Sequence, residues 1–239
     1  MIKVLILAGG KSLRMGGKPK CLTFVGGKTV LTHQLDWLSK YGIQKSSVVI
    51  SVGVNKELVD VCHTLGLKCF SESTPLGDGG AIRYTVEKYI SKEDCLLVLN
   101  GDLLLNFDLQ SFLSEAYLLK DKNLVGIVAA TQIRLQVGVL SPGAVYNEST
   151  TTRKLVRFVE KPILHDMFCS CGVYLLSSRV KECITSENPV DFARDVIQQN
   201  IEKFGVHVVD VTQWFPVETE KDVLLARDLV YTWSKGGNT

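Results

Sequence analysis

The sequence predicts an α/β fold: a Rossmann-like, mainly parallel sheet flanked by helices, with a β-rich C-terminal extension of the same sheet. Three observations predict it. Short, nearly continuous apolar runs recur through residues 1–135, helical patterns separate them, and from about Gln136 shorter strands joined by turns take over. Strands buried on both faces read as unbroken apolar runs, and strands that alternate with helices pair in parallel.

The elements follow in order. Met1–Gly10 resembles a leader peptide at first sight, but its apolar run is short and leads into Gly-Gly-Lys, so Ile2–Ala8 is read as a buried first strand. Thr29–Tyr41 reads as a helix, because Val30, Leu31, Leu35 and Leu38 share one face at 3.6-residue spacing. Ser47–Val52, Lys68–Ser71, Cys95–Leu99 and Leu124–Ala130 are the next strands. Helical patterns at Asn55–Gly66, Gly79–Ile90 and Asp108–Lys120 lie between them, with Asp108 placed to cap the last one. In the second half, Gln136–Leu140, Ala144–Tyr146, Leu155–Val159, Gly172–Leu176, Val206–Val211 and Trp214–Val217 read as strands. Pro189–Ile201 and Glu220–Trp233 read as helices.

Composition narrows the functional classes. The 239 residues suit a single domain, 1–239, and with 46% apolar residues they are enough for a full core, which excludes disorder. The 27 basic and 25 acidic residues leave a formal charge of +2 with no long basic run, which excludes a dedicated nucleic-acid binder. No apolar stretch approaches the ~20 residues that span a bilayer, so no membrane partner is expected. The seven cysteines are odd in number and scattered, as expected of reduced thiols in the cytoplasm.

The segment Leu7-Ala8-Gly9-Gly10-Lys11-Ser12-Leu13-Arg14-Met15-Gly16-Gly17-Lys18-Pro19-Lys20 carries the clearest chemistry. A buried strand opens into a loop with four glycines, Arg14 and three lysines. Glycines admit close backbone approach, successive amides form an anion-binding nest, and the cations match phosphate oxygens. The loop is a cradle for a polyphosphate. Lys11 reads equally as a phosphate contact or a solvated charge. It is not a Walker A loop, because Leu22 stands where the first glycine before Gly27-Lys28-Thr29 belongs. It is not a dinucleotide fingerprint, because Ser12 replaces the second glycine. In Leu96–Asp102 an apolar strand ends in Asp102 at the carboxyl edge of the sheet, where a carboxylate can hold Mg²⁺. Pro75-Leu76-Gly77-Asp78-Gly79-Gly80-Ala81 reads as a Gly-lined turn that accepts a planar base. Cys169-x-Cys171 has no second ligand pair at metal spacing, and the four histidines are scattered.

Four motifs together resemble the sugar-1-phosphate nucleotidyltransferases (NDP-sugar pyrophosphorylases). They are Gly9-Gly10…Arg14…Lys18-Pro19-Lys20-Cys21-Leu22, Pro75-Leu76-Gly77…Gly80-Ala81, Leu99-Asn100-Gly101-Asp102, and Val159-Glu160-Lys161-Pro162 with Cys171-Gly172-Val173-Tyr174. The short length and the P-L-G-x-G-G-A-I form are most similar to the mannose-1-phosphate and heptose-1-phosphate guanylyltransferases. The resemblance implies a nucleotide-binding part at 1–135 and a sugar-phosphate-binding part at 136–239. It implies transfer of a nucleotidyl group from an NTP, GTP favoured, to a sugar-1-phosphate, with Mg²⁺, in a protein that is often a homodimer. Arg14, Lys20, Asp102 and Lys161 would be catalytic. Leu7, Ala8, Gly9, Gly10, Lys11, Pro75, Gly77 and Gly80 would line the nucleotide. Gly138, Glu160, Lys161 and Gly172 would hold the sugar phosphate.

One departure stands out. The family's late W-x-D-I-G-T segment, which supplies a second metal-binding aspartate, here reads Trp214-Phe215-Pro216-Val217-Glu218-Thr219. Pro216 takes the aspartate's place and offers no side-chain ligand. Glu218, two residues on and on the same side of a strand, or Asp210, is expected to replace it beside Asp102, or else Asp102 and phosphate oxygens hold Mg²⁺ alone. Two other readings stay open: a non-sugar phosphate acceptor, and a noncatalytic relative that kept the fold.

Overall fold

A computed structural model describes residues 1–10, 17–121, 124–135, 137–145 and 153–235. The elements run β1 (Ile2–Leu7), the β2–β3 hairpin (Phe24–Val25 and Lys28–Thr29), α1 (Val30–Lys40), β4 (Val48–Ser51), α2 (Lys56–Thr64), β5 (Lys68–Phe70) and α3 (Gly77–Tyr89). They continue with β6 (Cys95–Asn100), β7 (Leu103–Leu105), α4 (Leu109–Ser114), α5 (Leu118–Asp121), β8 (Gly126–Arg134), β9 (Val139–Val145), β10 (Arg153–Val159) and β11 (Ile163–Ser177). A wide helical turn (Phe192–Ile197), β12 (Phe204–Val208), β13 (Trp214–Pro216) and α6 (Glu220–Lys235) complete the chain.

Seven strands form one sheet in the order β12-β8-β11-β6-β1-β4-β5. All adjacent pairs are parallel except those of β11, which runs antiparallel to both β6 and β8. The carboxyl ends of β1, β4, β5, β6, β8 and β12 therefore share one edge. The sheet carries a core on each face. In β1, Val4 and Ile6 pack with α1, α2 and α4, and Leu5 packs with α3 on the other side. In β6, Cys95, Leu97 and Leu99 face the first core while Leu96 and Val98 face the second. This two-faced burial is what the unbroken apolar runs encode. A third, smaller cluster seats α6 through Ala226 on Val25, Val30, Leu104 and Val217.

The helix starts are set by side chains. Thr29, Asn55 and Asp108 each accept a backbone N–H in the first turn of α1, α2 and α4, and a cap of this kind contributes about 1 kcal/mol. Asp108 takes the capping role that its position implied.

Three expected elements differ. The strand expected at Gly172–Leu176 is the last third of β11, which begins at Ile163. Of the strands expected at Gln136–Leu140 and Ala144–Tyr146, the described residues Val139–Val145 form one strand, β9, whose described partner is β10, and Gln136 and Tyr146 lie outside the described residues. The helix expected over Pro189–Ile201 shrinks to one wide turn, because Val190 donates its N–H to Leu76 and accepts from Gly79, which holds its backbone to α3. No helix among the described residues is long and apolar enough to cross a membrane.

Candidate functional site

The site is built where β1 and β6 end side by side, Leu7 opposite Asn100. Ala8 donates its N–H to Ser51 O at 2.9 Å, and Gly101 donates to Leu7 O at 2.9 Å. Gly9 follows with its backbone against Gly53, and Gly10 is exposed at the loop mouth. Lys11 and Arg14 lie outside the described residues. The chain re-enters at Gly17, and Pro19 leads into a short 3-10 turn, Lys20–Leu22. That turn delivers Lys20 Nζ to within 2.8 Å of Asp102 Oδ2. Both side chains are about one-fifth to one-quarter exposed, at 24% and 21%. Two residues 82 positions apart in sequence thus form a half-buried ion pair at the carboxyl edge of the sheet.

The turn after β6 is held from several sides. Asp102 O accepts from Val217 N at 2.7 Å, and β13 pairs with β7 so that Pro216 lies opposite Leu103. The late segment therefore does reach Asp102, and Glu218 is the next residue beyond that contact. Glu218 donates its backbone N–H to Asp222 Oδ2, which also binds the Thr219 N–H and hydroxyl and so starts α6. Asp210 is engaged elsewhere: its Oδ1 accepts the Thr212 N–H and hydroxyl, and these bonds hold its carboxyl below the usual range. Among the described residues, His, Cys, Asp and Glu form no group of three or more that could hold a metal ion by themselves.

The Pro75–Gly80 turn joins this edge through a residue that the sequence reading missed. Glu72 accepts from Ser51 Oγ at 2.9 Å with one oxygen and from Leu76 N at 3.0 Å with the other. It ties the end of β4 to the turn. The available signal was an acidic residue four positions before a backbone N–H at a helix start, a local pattern that is easily overlooked. Gly77 has φ +72, and a Cβ there would strike the Val190 carbonyl oxygen. A Cβ on Gly80 would lie 2.7 Å from Asn188 Oδ1. These glycines are filled from behind by residues 188–190, so what the turn can present to a base is backbone. Asp78 fixes the same packing by accepting from Gly79 N and Phe192 N, and burial lifts its carboxyl above the usual range despite those two bonds.

The remaining candidates form a second group. Gly138 lies beside Phe158, and a Cβ there would be 3.1 Å from Glu160 Oε2. Glu160 and Lys161 follow β10 at its turn into β11. Lys161 has φ +44, and its exposed Nζ is 3.8 Å from Glu160 Oε1. This group sits beside the β9–β10 pair, and β11 links it to Gly172 over at most about 40 Å of extended chain. Gly172, with φ +67, lies at the bulge of β11 against the Asn100 side chain, where a Cβ would come within 2.5 Å of Nδ2. Trp214 Nε1 donates to Cys171 O at 2.8 Å beside it. The structure thus brings Gly172 to the Asp102 turn and carries Gly138, Glu160 and Lys161 on the same strand's other end.

No cysteine is poised as a nucleophile in this neighbourhood. Burial pushes the Cys21 and Cys171 thiols up to about 12.

The chain is similar to known proteins along most of its length. The profile of the MobA-like NTP transferase domain matches residues 4–166. The chain is 25% identical over 246 residues to a mannose-1-phosphate guanyltransferase of Debaryomyces hansenii, covering 97% of this chain and 65% of that protein. It is 28% identical to the probable mannose-1-phosphate guanylyltransferase 2 of Arabidopsis thaliana, covering 83% and 56%. It is 23% identical to the D-glycero-alpha-D-manno-heptose 1-phosphate guanylyltransferase of Aneurinibacillus thermoaerophilus, covering 83% and 84%. The chain therefore spans little more than half to about two thirds of the length of the mannose-1-phosphate relatives. Among solved structures, HddC from Yersinia pseudotuberculosis complexed with GMP-PN superposes with a TM-score of 0.69 at 20% identity, covering 95% of this chain and 99% of that one. The profile match over more than half the chain carries one assignment: the chain belongs to the MobA-like NTP transferase domain family.

Proposed function

We propose that this protein transfers a nucleotidyl group from an NTP, with GTP favoured, to a sugar-1-phosphate of the mannose or heptose type. The observation that carries the reading is the Lys20–Asp102 ion pair at the carboxyl edge, beside the loop that follows β1. A phosphate oxygen of the sugar-1-phosphate attacks the α-phosphorus of the NTP in line. The new P–O bond forms as the bond to the β-phosphate bridging oxygen breaks, and pyrophosphate leaves with that electron pair. Such transfers rest on positioning and charge neutralisation and need no covalent intermediate on the protein.

Each residue has a part. The backbone of Leu7–Gly10 and the cations Lys11 and Arg14 cradle the phosphates. Lys20 neutralises charge at the α-phosphate and the leaving group. Gly77 and its neighbours offer backbone to the base. Glu160 and Lys161 engage sugar hydroxyls and the acceptor phosphate, and Gly138 and Gly172 offer backbone to the acceptor, their missing side chains leaving room for Phe158 and for the Asn100 side chain. Mg²⁺ commonly takes one or two carboxylates together with phosphate oxygens and waters, and the donors here fit that number. Asp102 and Glu218 would hold it, and when bound it supplies charge neutralisation to the NTP phosphates. The substrates and the free thiols suit the cytoplasm, and a homodimer is the assembly that the family resemblance favours.

The test is pyrophosphate release across the common NTPs and several sugar-1-phosphates, with Mg²⁺ or with chelator. Release that requires one NTP, one sugar phosphate and the metal is the expected result. NTP binding without release for any sugar phosphate would reject the sugar acceptor and favour the noncatalytic alternative that Pro216 keeps open. The acceptor side has its own test. Lys161→Ala is expected to raise the KM for the sugar phosphate about tenfold, or roughly 1.4 kcal/mol, with kcat little changed. An unchanged KM would place the acceptor elsewhere.

A further inference from the structure

We propose that Gln34, on the buried face of α1, is a positioning residue that sets Asp102 for divalent-cation binding. The inference rests on the reading of Asp102 as the metal-holding carboxylate. Gln34 is 1% exposed. Its Nε2 donates to Asn100 O at 2.8 Å and to Leu103 O at 3.0 Å. Those carbonyls flank Gly101-Asp102 on either side, so one amide nitrogen spans the turn and uses both of its protons.

The two residues between are held by other elements. Gly101 N is bound by the end of β1 and Asp102 O by Val217. Four successive residues are therefore fixed through their backbones from three directions. Of the three anchoring residues, Gln34, Leu7 and Val217, Gln34 alone acts through its side chain, so it is the one that a substitution removes without altering the turn itself. A carboxylate on a turn clamped in this way keeps its direction, and direction governs how well it meets a small cation with strict octahedral demands. The other Gln34 atom, Oε1, is buried with no hydrogen-bond partner among the described residues. An unpaired buried acceptor offsets part of what the Nε2 bonds contribute to stability, so the effect of losing Gln34 falls mainly on where the turn sits. One turn further along α1, Trp37 Nε1 and Tyr41 OH both donate to Phe107 O at 3.2 Å, beyond β7. Tyr41→Phe thus removes a similar bond from the residue that ends the same helix without touching the Asp102 turn.

The experiment uses Mn²⁺ as the probe. Bound Mn²⁺ is read by electron paramagnetic resonance with the full chain, first alone and then with stoichiometric GTP, beside thermal unfolding of each variant. Gln34→Met is expected to weaken protein-bound Mn²⁺ about tenfold, the scale seen when a group that orients a ligand is lost, while Tyr41→Phe stays within about twofold. Gln34→Glu is expected to fall between them at neutral pH. Burial raises its carboxyl pKa, so the protonated form still donates one hydrogen bond, and its Mn²⁺ affinity drops relative to wild type as pH is raised and that proton is lost. Wild-type Mn²⁺ affinity in Gln34→Met overturns the proposal and leaves the metal reading intact. If Gln34→Met does not fold, Gln34→Glu decides alone: an affinity that tracks wild type across pH overturns it. A wild-type protein that binds no Mn²⁺ with GTP overturns the metal reading, and the positioning role falls with it.

Discussion

Asp102→Asn is expected to lower kcat/KM for nucleotidyl transfer by about 10³ while the protein stays folded. Loss of one preorganised electrostatic contact typically lowers the rate by 10² to 10³, and this carboxylate serves two purposes. It partners Lys20 at 2.8 Å, and it is the carboxylate placed to hold the cation. Asn keeps the shape and the backbone bond to Val217, and leaves the neighbouring Gly101 bond to Leu7 in place, so the thermal midpoint should move little. The partner variant Lys20→Met keeps the stem and removes the charge. If the two residues act as a unit, the double variant should be no more than about tenfold worse than the worse single variant, because groups that work together are strongly non-additive. The measurement is steady-state pyrophosphate release for wild type and the three variants. An Asp102→Asn enzyme within tenfold of wild type would remove this carboxylate from the chemistry.

Gly77→Ala is expected to have the largest effect on stability. Its φ of +72 disfavours any side chain, and its Cβ would meet backbone, the Val190 carbonyl oxygen, which cannot swing aside as a flexible side chain can. The left-handed conformation costs about 1–2 kcal/mol for a residue with a Cβ, and displacing the 188–192 segment brings the total to about 3 kcal/mol or more. For a domain of this size that lowers the thermal midpoint by roughly 6–12 °C. Gly42 supplies the control. It has φ +75 with nothing within 4 Å of its would-be Cβ, so Gly42→Ala carries the conformational penalty alone. The difference between the two midpoints isolates the contact with Val190. Equal midpoints would mean that residues 188–192 yield freely and do not brace the base-side turn.

The sheet was legible where both faces are buried. The runs in β1, β4 and β6 announce themselves, because residues on either side of the strand must be apolar. β7 escaped notice because Leu103–Leu105 follows Asp102 directly and reads as a tail of the preceding turn. The first half of β11 was hidden by His165 and Asp166 in a strand whose early residues are mostly exposed, so no period of two marks it. The span from Pro189 to Ile201 looked helical because Phe192 and Val196 share a face. What defeats a full helix there is a distant pair of hydrogen bonds to Leu76 and Gly79, which local pattern cannot reveal. The site divides similarly. Lys20 was readable as a cation in a Gly-rich loop and Asp102 as a carboxylate at a strand end, but their contact was not, since a parallel sheet joins residues far apart in sequence. Glu72 and Gln34 were missed because each binds backbone groups brought close only by the fold or by an irregular turn, where no cap-like spacing marks the partner.

The antiparallel strand in the middle of the sheet also governs how the chain can reach this fold. β8 precedes β9, yet both of its neighbours, β11 and β12, come from later in the chain. β6 has the same dependence on one side: Leu99 pairs with Val173, which follows it by 74 residues. A nascent chain that has formed β1, β4, β5 and β6 still carries an open, strongly apolar edge on β6, with β8 unable to fill it. Until β11 arrives, that edge is a template for another molecule's strand. The second neighbour of β6 comes from the last third of the chain, so the two parts of the polypeptide complete the sheet together.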